Sequence, residues 1–460
     1  MAQSKDRLEI GPVAFLIAGL MFMEFLDGSI LPTAAPTIAH TFNVLSSQIG
    51  ICVTTYMVTI VVLIPISAWL ADKYGVRKVL FSSIVIFILG SLLCAASSNL
   101  FELTLMRIVQ GIGAATMVPV GRLILMRSVD KAQVIRVISY SVWPALIAPV
   151  VAPVLGGLII GHASWHWIFI INLPIGLVAL LIGWKIVPHI EGRKVLGLDW
   201  FGFYGSSLSL GLLVFGAANL GAPHINATET SILFLSGLGI GWPTLRHLRK
   251  VDEPLIDLSV LKIETFRLNN VSGLLFRVAQ NTAPFVLPLL FQDKFGWSAE
   301  RAGETLFFYM FGNLVFKGFT SSLMKKFAFK PLILLCTLAS IPLTISLGLL
   351  HLTISFTWLA GLLFITGGVR SLGMTLYNTI TYADIDQEIM AHANTLSNMT
   401  QQLASVIAVA LAVVAINVGR VWFGVSNQFG IAFFVAAAAL VMSLPNVINL
   451  PRSAGDSLRN

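Results

Sequence analysis

The strongest constraint in this chain is a succession of apolar runs, many about twenty residues long, separated by short polar stretches. A helix needs about 20 apolar residues to cross a hydrocarbon core of about 30 Å. Lipid offers no water to backbone N–H and C=O groups, so each run must satisfy its own. A helix does so within one segment, whereas barrel strands would be shorter and alternate in polarity. Hydrophobic residues make up 56% of the 460 and charged residues 11%; a soluble chain carries about 25% charged. A water-soluble enzyme and a disordered chain are excluded, and an all-α integral membrane protein is expected.

Fourteen spans are predicted, at about 12–34, 49–70, 79–98, 103–125, 134–160, 166–187, 200–221, 230–246, 267–291, 303–324, 331–351, 355–378, 395–418 and 427–448. Charge distribution tests that count, because cytoplasmic loops collect Lys and Arg. With both termini cytoplasmic, twenty of the 29 basic residues fall inside and three (Lys294, Arg301 and Arg420) outside. The other six lie within or at the edge of spans. The three cysteines, Cys52, Cys94 and Cys336, sit singly in apolar runs and read as buried thiols. There is no phosphate-binding loop and no His/Cys metal cluster.

The chain repeats itself at an offset of 253 residues. LADKYGVRK from Leu70 matches LMKKFAFKP from Leu323, and Gly50 matches Gly303. Two homologous six-span halves are therefore expected, with a site between them. Residues 1–11 form a cytoplasmic N-terminus, 12–187 the first half and 188–250 an inserted helix pair with its loops. Residues 251–450 form a cytoplasmic loop and the second half, and 451–460 a cytoplasmic tail.

Ionisable groups inside spans are functional candidates by default. Span 1 carries Glu24 and Asp27, three residues apart and so on one helix face. A carboxylate that takes up a proton on one side and releases it on the other supplies the chemistry of a proton-coupled carrier. Arg107 in span 4 cannot titrate, but it can hold a neighbouring acid deprotonated. These three form the expected proton-coupling group; a structural ion pair is the competing reading. Arg277, Gln280 and Asn281 in span 9, Arg370 and Asn378 in span 12, and Gln402 in span 13 are expected to line a substrate cavity or to bond neighbouring helices. Tyr56 and Trp143 are candidates for stacking on a flat or cationic substrate. Lys317 is read as reaching the cytoplasmic interface and is given no role. In span 5, Pro149 and Pro153 kink the helix while Gly156 and Gly157 flatten one face, which suits rocking against the other half.

WLADKYGVRK and LMRIVQGIGAA resemble the loop 2–3 and span 4 signatures of the major facilitator superfamily. APVVAPVLGG resembles the span 5 antiporter signature. LDGSILPTAAP and SWHWIFIINLPIG resemble the fourteen-span drug:proton antiporters of the EmrB/QacA type, and MVPVGRL points to the MdtD-like branch. Ala68, Ala148 and Ala152 replace signature glycines, Pro32 replaces an asparagine, and Glu24 is an additional acid. The resemblance implies a non-enzymatic secondary transporter of the bacterial inner membrane, without cofactor, driven by the proton gradient. Asp27 falls on the family's span 1 acid and Arg107 on its span 4 arginine. Asp72, Gly75 and Arg77 belong to the loop that latches the cytoplasmic side. Export of amphipathic or cationic compounds by alternating access is the expected function. A proton-driven exporter of a carboxylate or siderophore-like anion is the alternative, motivated by Arg277 and Arg370; a membrane receptor or assembly partner is a third. The expected partners are a small-molecule substrate, protons and the lipid bilayer, with neither nucleic acid nor ATP. A periplasmic adaptor is left open, and one chain has enough spans to work as a monomer.

Overall fold

The computed structural model describes residues 10–128, 131–187, 197–220, 226–251, 258–385, 389–424, 428–451 and 454–455. Among these there are helices and turns and no strand. In chain order the helices are α1 (Ile10–Phe42), α2 (Gly50–Tyr74), α3 (Val76–Ala95), α4 (Leu100–Ser128) and α5 (Lys131–His162). Next come α6 (Trp167–Ile170), α7 (Asn172–Ile186), α8 (Trp200–Leu220), α9 (Ala227–Leu248) and α10 (Glu264–Leu289). The last five are α11 (Ala299–Lys326), α12 (Phe329–Gly348), α13 (Phe356–Ile380), α14 (Met390–Phe423) and α15 (Gln428–Asn449). The expected terminal segments at 1–9 and 456–460 and the centre of the loop after α7 lie outside the described residues.

Eleven helices among the described residues are long and apolar enough to cross a membrane, counting α6 and α7 as one. Fourteen were expected. The other three are α5, whose described apolar length is the shorter Ile147–His162, and α9 and α11. Charged residues dilute both of the latter: Glu229 and Arg246 near the ends of α9, and Glu300, Arg301, Glu304 and Lys317 along α11. Local sequence sets where several helices begin. The side chains of Asn226, Ser298 and Ser355 accept the N–H of Glu229, Arg301 and Trp358, capping α9, α11 and α13. Gly75, at φ 88°, makes the left-handed turn between α2 and α3 that a side chain would strain.

The packing repeats. In α1–α7, α1 lies on α5 and α7, and α4 lies on α2 and α3; in α10–α15, α10 lies on α14 and α15, and α13 lies on α11 and α12. The two sets meet mainly along two seams, α5 with α11 and α2 with α14, with α1 also touching α10. The α8–α9 pair flanks the second seam, where Val61, Leu248 and Met399 form a small apolar cluster.

The two ends of the molecule differ. At the end of Cys94, Trp165, Leu350 and Phe429, one continuous apolar core includes both sets of helices. At the end bearing the basic α2–α3 and α11–α12 turns, each set keeps its own main core, around Val76 and Ile124 in the first and Phe329 and Val447 in the second. The joined end is close-packed. A Cβ added at Gly157 would lie 2.6 Å from the Ala299 carbonyl oxygen, and one added at Gly303 would lie even closer to the Pro153 carbonyl oxygen. Gln292 Nε2 also donates across to the Thr33 carbonyl at 2.8 Å. Overpacking such a contact costs about 1–3 kcal/mol. A cysteine placed at Ala302, which is buried at this seam, should therefore react about fivefold faster with a soluble maleimide in Gly157→Leu than in its parent, the response to about 1 kcal/mol. Equal labelling rates in both backgrounds would show that the seam does not depend on the missing side chain.

Candidate functional site

Asp27 is sealed within the first set of helices. Arg107 Nη1 donates to its Oδ2 at 2.7 Å, and Gln110 Nε2 and Asn172 Nδ2 both donate to its Oδ1 at 2.8 Å. Gln110 Nε2 and Asn172 Nδ2 also reach Ser91 Oγ, at 2.6 and 3.1 Å, and Arg107 Nη1 reaches Gln110 Oε1 at 2.6 Å. One network thus joins α1, α3, α4 and the start of α7, and no member is more than 1% exposed. The Arg107 guanidinium lies 4.1 Å from the Tyr56 ring centroid, adding a cation–π contact from α2.

Glu24 has different surroundings. It lines a cavity of about 470 Å³ between the two sets of helices. Its Oε2 is buried with no hydrogen-bond partner among the described residues. The charges of Arg122 and Asp27 act on it, one attracting and one repelling, and Arg122 forms no ion pair with it. Three positions along α1 turn the helix by about 300°, so Glu24 and Asp27 point about 60° apart. That rotation separates a cavity carboxylate from an interior one.

The cavity wall on the second set is cationic and amidic. Arg370 on α13 and Lys317 on α11 both line it, with Asn281, Asn378 and Gln402. Arg370 Nη2 donates to Asn281 Oδ1 at 3.0 Å, and Asn281 Nδ2 donates to Ser405 Oγ at 2.9 Å. Arg277 stands behind this wall, buried, and its Nη2 donates to Asn378 Oδ1 at 2.7 Å. Gln280 is also buried off the cavity, and its carbonyl accepts from the Tyr309 hydroxyl at 3.2 Å. Pro149 and Pro153 line the cavity from α5, while Gly156 faces Ile30 and Thr33 of α1 and Gly157 faces α11. Tyr56 lines it from α2. The Trp143 side chain lies outside the described residues.

Asp72, Gly75 and Arg77 lie away from this cavity, at the α2–α3 turn. Arg77 Nη2 donates to the Trp184 carbonyl at 2.6 Å, and its guanidinium lies 5.1 Å from the Trp184 ring centroid, so it ties α3 to the end of α7. Several positions of this site are not among the candidates from sequence. Gln110 stands three residues after Arg107 and hence on its face, and Asn172 interrupts an apolar run; both signals were legible. Lys317, read from sequence as an interfacial lysine, belongs to the cavity wall. Among the described residues no group of His, Cys, Asp and Glu could hold a metal.

Residues 17–409 match the Major Facilitator Superfamily. The chain belongs to that superfamily. It is 31% identical over 451 residues to the probable transport protein HsrA of Haemophilus influenzae, covering 97% of each chain. It is 33% identical over 403 residues to a putative multidrug resistance protein MdtD of Pectobacterium carotovorum, covering 86% of this chain and 85% of the relative. Among solved structures, a D-xylose–proton symporter superposes with TM-score 0.68 at 13% identity, covering 97% and 99% of the two chains. An inward-facing bacterial homologue of the human lysosomal transporter Spinster does so with 0.65 at 13% identity, covering 99% of each. The all-helical fold is thus that of the superfamily, and this chain is a multi-pass membrane transporter of the kind its MdtD-like resemblance implied.

Breaking a buried ion pair by removing one partner costs about 3–5 kcal/mol, because a bare charge stays behind. Asp27→Asn and Arg107→Met should each destabilise the purified protein by about that amount in denaturant unfolding. The double variant should recover at least about half of the loss. Additive losses would mean that the two side chains act independently.

Proposed function

We propose that this chain is a proton-coupled exporter of amphipathic compounds, cationic ones included, working by alternating access in the bacterial inner membrane. Fourteen helices would cross the bilayer with both termini cytoplasmic. Two six-helix halves, 12–187 and 251–450, would flank an inserted pair within 188–250. With the basic turns cytoplasmic, the joined core lies at the periplasmic end and the cavity is reached from the cytoplasm, an inward-open arrangement. The proton gradient would supply the energy without ATP or a resident cofactor, and a monomer would suffice.

The observation that carries this reading is the placement of Glu24. It is the acid on the cavity wall among the described lining residues, and one of its oxygens is unpartnered. A carboxylate so placed can hold either a proton or a cationic group of the substrate. Mutual exclusion at one carboxylate couples the two flows, because each ligand leaves the site as the other arrives. Asp27, with its acceptor sites occupied by Arg107, Gln110 and Asn172, would hold the helices in register and leave proton exchange to Glu24. Export of a carboxylate is the second reading, and Arg370 and Lys317 on the facing wall favour it.

Purified protein in liposomes carrying an internal pH dye provides the test, with ethidium added under an imposed proton gradient. Substrate-driven proton movement should vanish in Glu24→Gln and persist, at reduced rate, in Asp27→Asn. Coupling that survives Glu24→Gln but disappears in a folded Asp27→Asn would transfer the proton site to Asp27. No response to ethidium, with proton movement driven by carboxylates, would favour the second reading.

A further inference from the structure

The ionisable groups of the cavity are divided by type between its walls, an acid on one and two bases on the other. Glu24 stands on α1, in the first set of helices. Arg370 and Lys317 stand on α13 and α11, in the second. Neither cation forms an ion pair with Glu24. Arg370 and Lys317 also act on each other as like charges. Three lining side chains hold a buried polar atom without a hydrogen-bond partner: Oε2 of Glu24, the hydroxyl of Tyr56 and Nε of Arg370. Unmet donors and acceptors on both walls of a low-dielectric cavity are costly, and a ligand that satisfies them gains accordingly.

From this division we infer that the preferred ligand is an amphipathic zwitterion, with an ammonium group held at Glu24 and a carboxylate held at Arg370 and Lys317. The inference rests on the cavity being the transport site. A lipophilic cation meets Glu24 favourably but is repelled by two positive charges on the facing wall. A simple organic anion suits that wall but is repelled by Glu24 whenever that carboxyl is ionised. A molecule carrying both charges neutralises both walls at once. The guanidinium fork suits a planar carboxylate, to which it can offer two parallel N–H donors. The lining also carries apolar side chains, among them Val53, Ile60, Phe285, Leu306, Met310 and Val409. The volume of about 470 Å³ lies within the range for drug-sized ligands, so the cavity has room for an aromatic or alkyl body as well as the charged ends.

A matched series of probes tests this on the wild-type protein in nanodiscs by isothermal titration calorimetry. The zwitterion is 4-(4-aminobutyl)benzoate, the anion 4-butylbenzoate and the cation 4-phenylbutylamine, which share one apolar body. The zwitterion should bind at least about tenfold tighter than either partner. Glu24→Gln should bring it down to the affinity of 4-butylbenzoate, and Arg370→Gln to that of 4-phenylbutylamine. Lys317→Gln should weaken both carboxylates and leave the amine unchanged or tighter. Equal binding of all three, tighter binding of either singly charged probe, or no binding of any overturns the inference, and the wild-type protein alone is enough to decide it. Calorimetry reads selectivity and the liposome assay reads coupling, so the two fail separately. Proton antiport with a singly charged preference removes this inference alone, whereas zwitterion binding without proton movement removes the coupling alone.

Discussion

The first six-helix set is organised around the contact between Arg107 and Asp27. A guanidinium and a carboxylate, each fully withdrawn from solvent, would be expensive apart, since neither can recover its lost hydration. Together they are tolerable only because Gln110, Asn172 and Ser91 complete the hydrogen bonding around them. The residues come from four helices, so one electrostatic requirement fixes the spacing of α1, α3, α4 and α7 at mid-depth. In lipid, apolar burial between helices adds little drive, and internal polar bonds of this kind carry much of the specificity.

That anchor also places one wall of the cavity between the halves. Because Asp27 is held inward, the neighbouring turn of α1 presents Glu24 to the space between the halves. Tyr56 stands between the two environments, with its ring against Arg107 and its side chain on the cavity wall. In the second set, hydrogen bonds from Arg277 to Asn378 and from Arg370 to Asn281 join α10 and α13, the counterparts of α1 and α4. The bridging position is shared, but the chemistry differs. The first set buries a neutralised pair, whereas the second holds guanidinium groups against amides and leaves net positive charge at the cavity.

Alternating access needs two halves that remain intact while the contact between them changes. The apolar cores have that form: they are joined at one end of the molecule and separate into two at the other. Within the joined end, Gly157 and Gly303 let the backbones of α5 and α11 approach closely where no side chains interlock. Such flat contacts can part and reform with little repacking. The buried network of the first half lies within that half, as the proposed mechanism requires of a half that travels as a unit.

Much of this was legible in the sequence, because it follows from chemistry along the chain. Continuous apolar runs require helices, their basic loops predict an orientation, and the matched positions Gly50 and Gly303 expose the repeat. The polar candidates were also visible, since an ionisable group in an apolar run stands out wherever it lies. Sequence could not distribute them between interior and cavity. Glu24 and Asp27 share a helix face at three-residue spacing, yet the rotation of about 60° between them decides which meets Arg107 and which meets the cavity. Likewise Arg277 and Arg370 look alike in sequence, but one is buried behind the wall and the other is part of it. Lys317 reads as an interfacial lysine until α11 is packed against α5 and α13. The apolar pattern and the charges were determined by the sequence alone. The direction each charge faces was decided by tertiary packing, because it depends on which neighbouring helix arrives at which face.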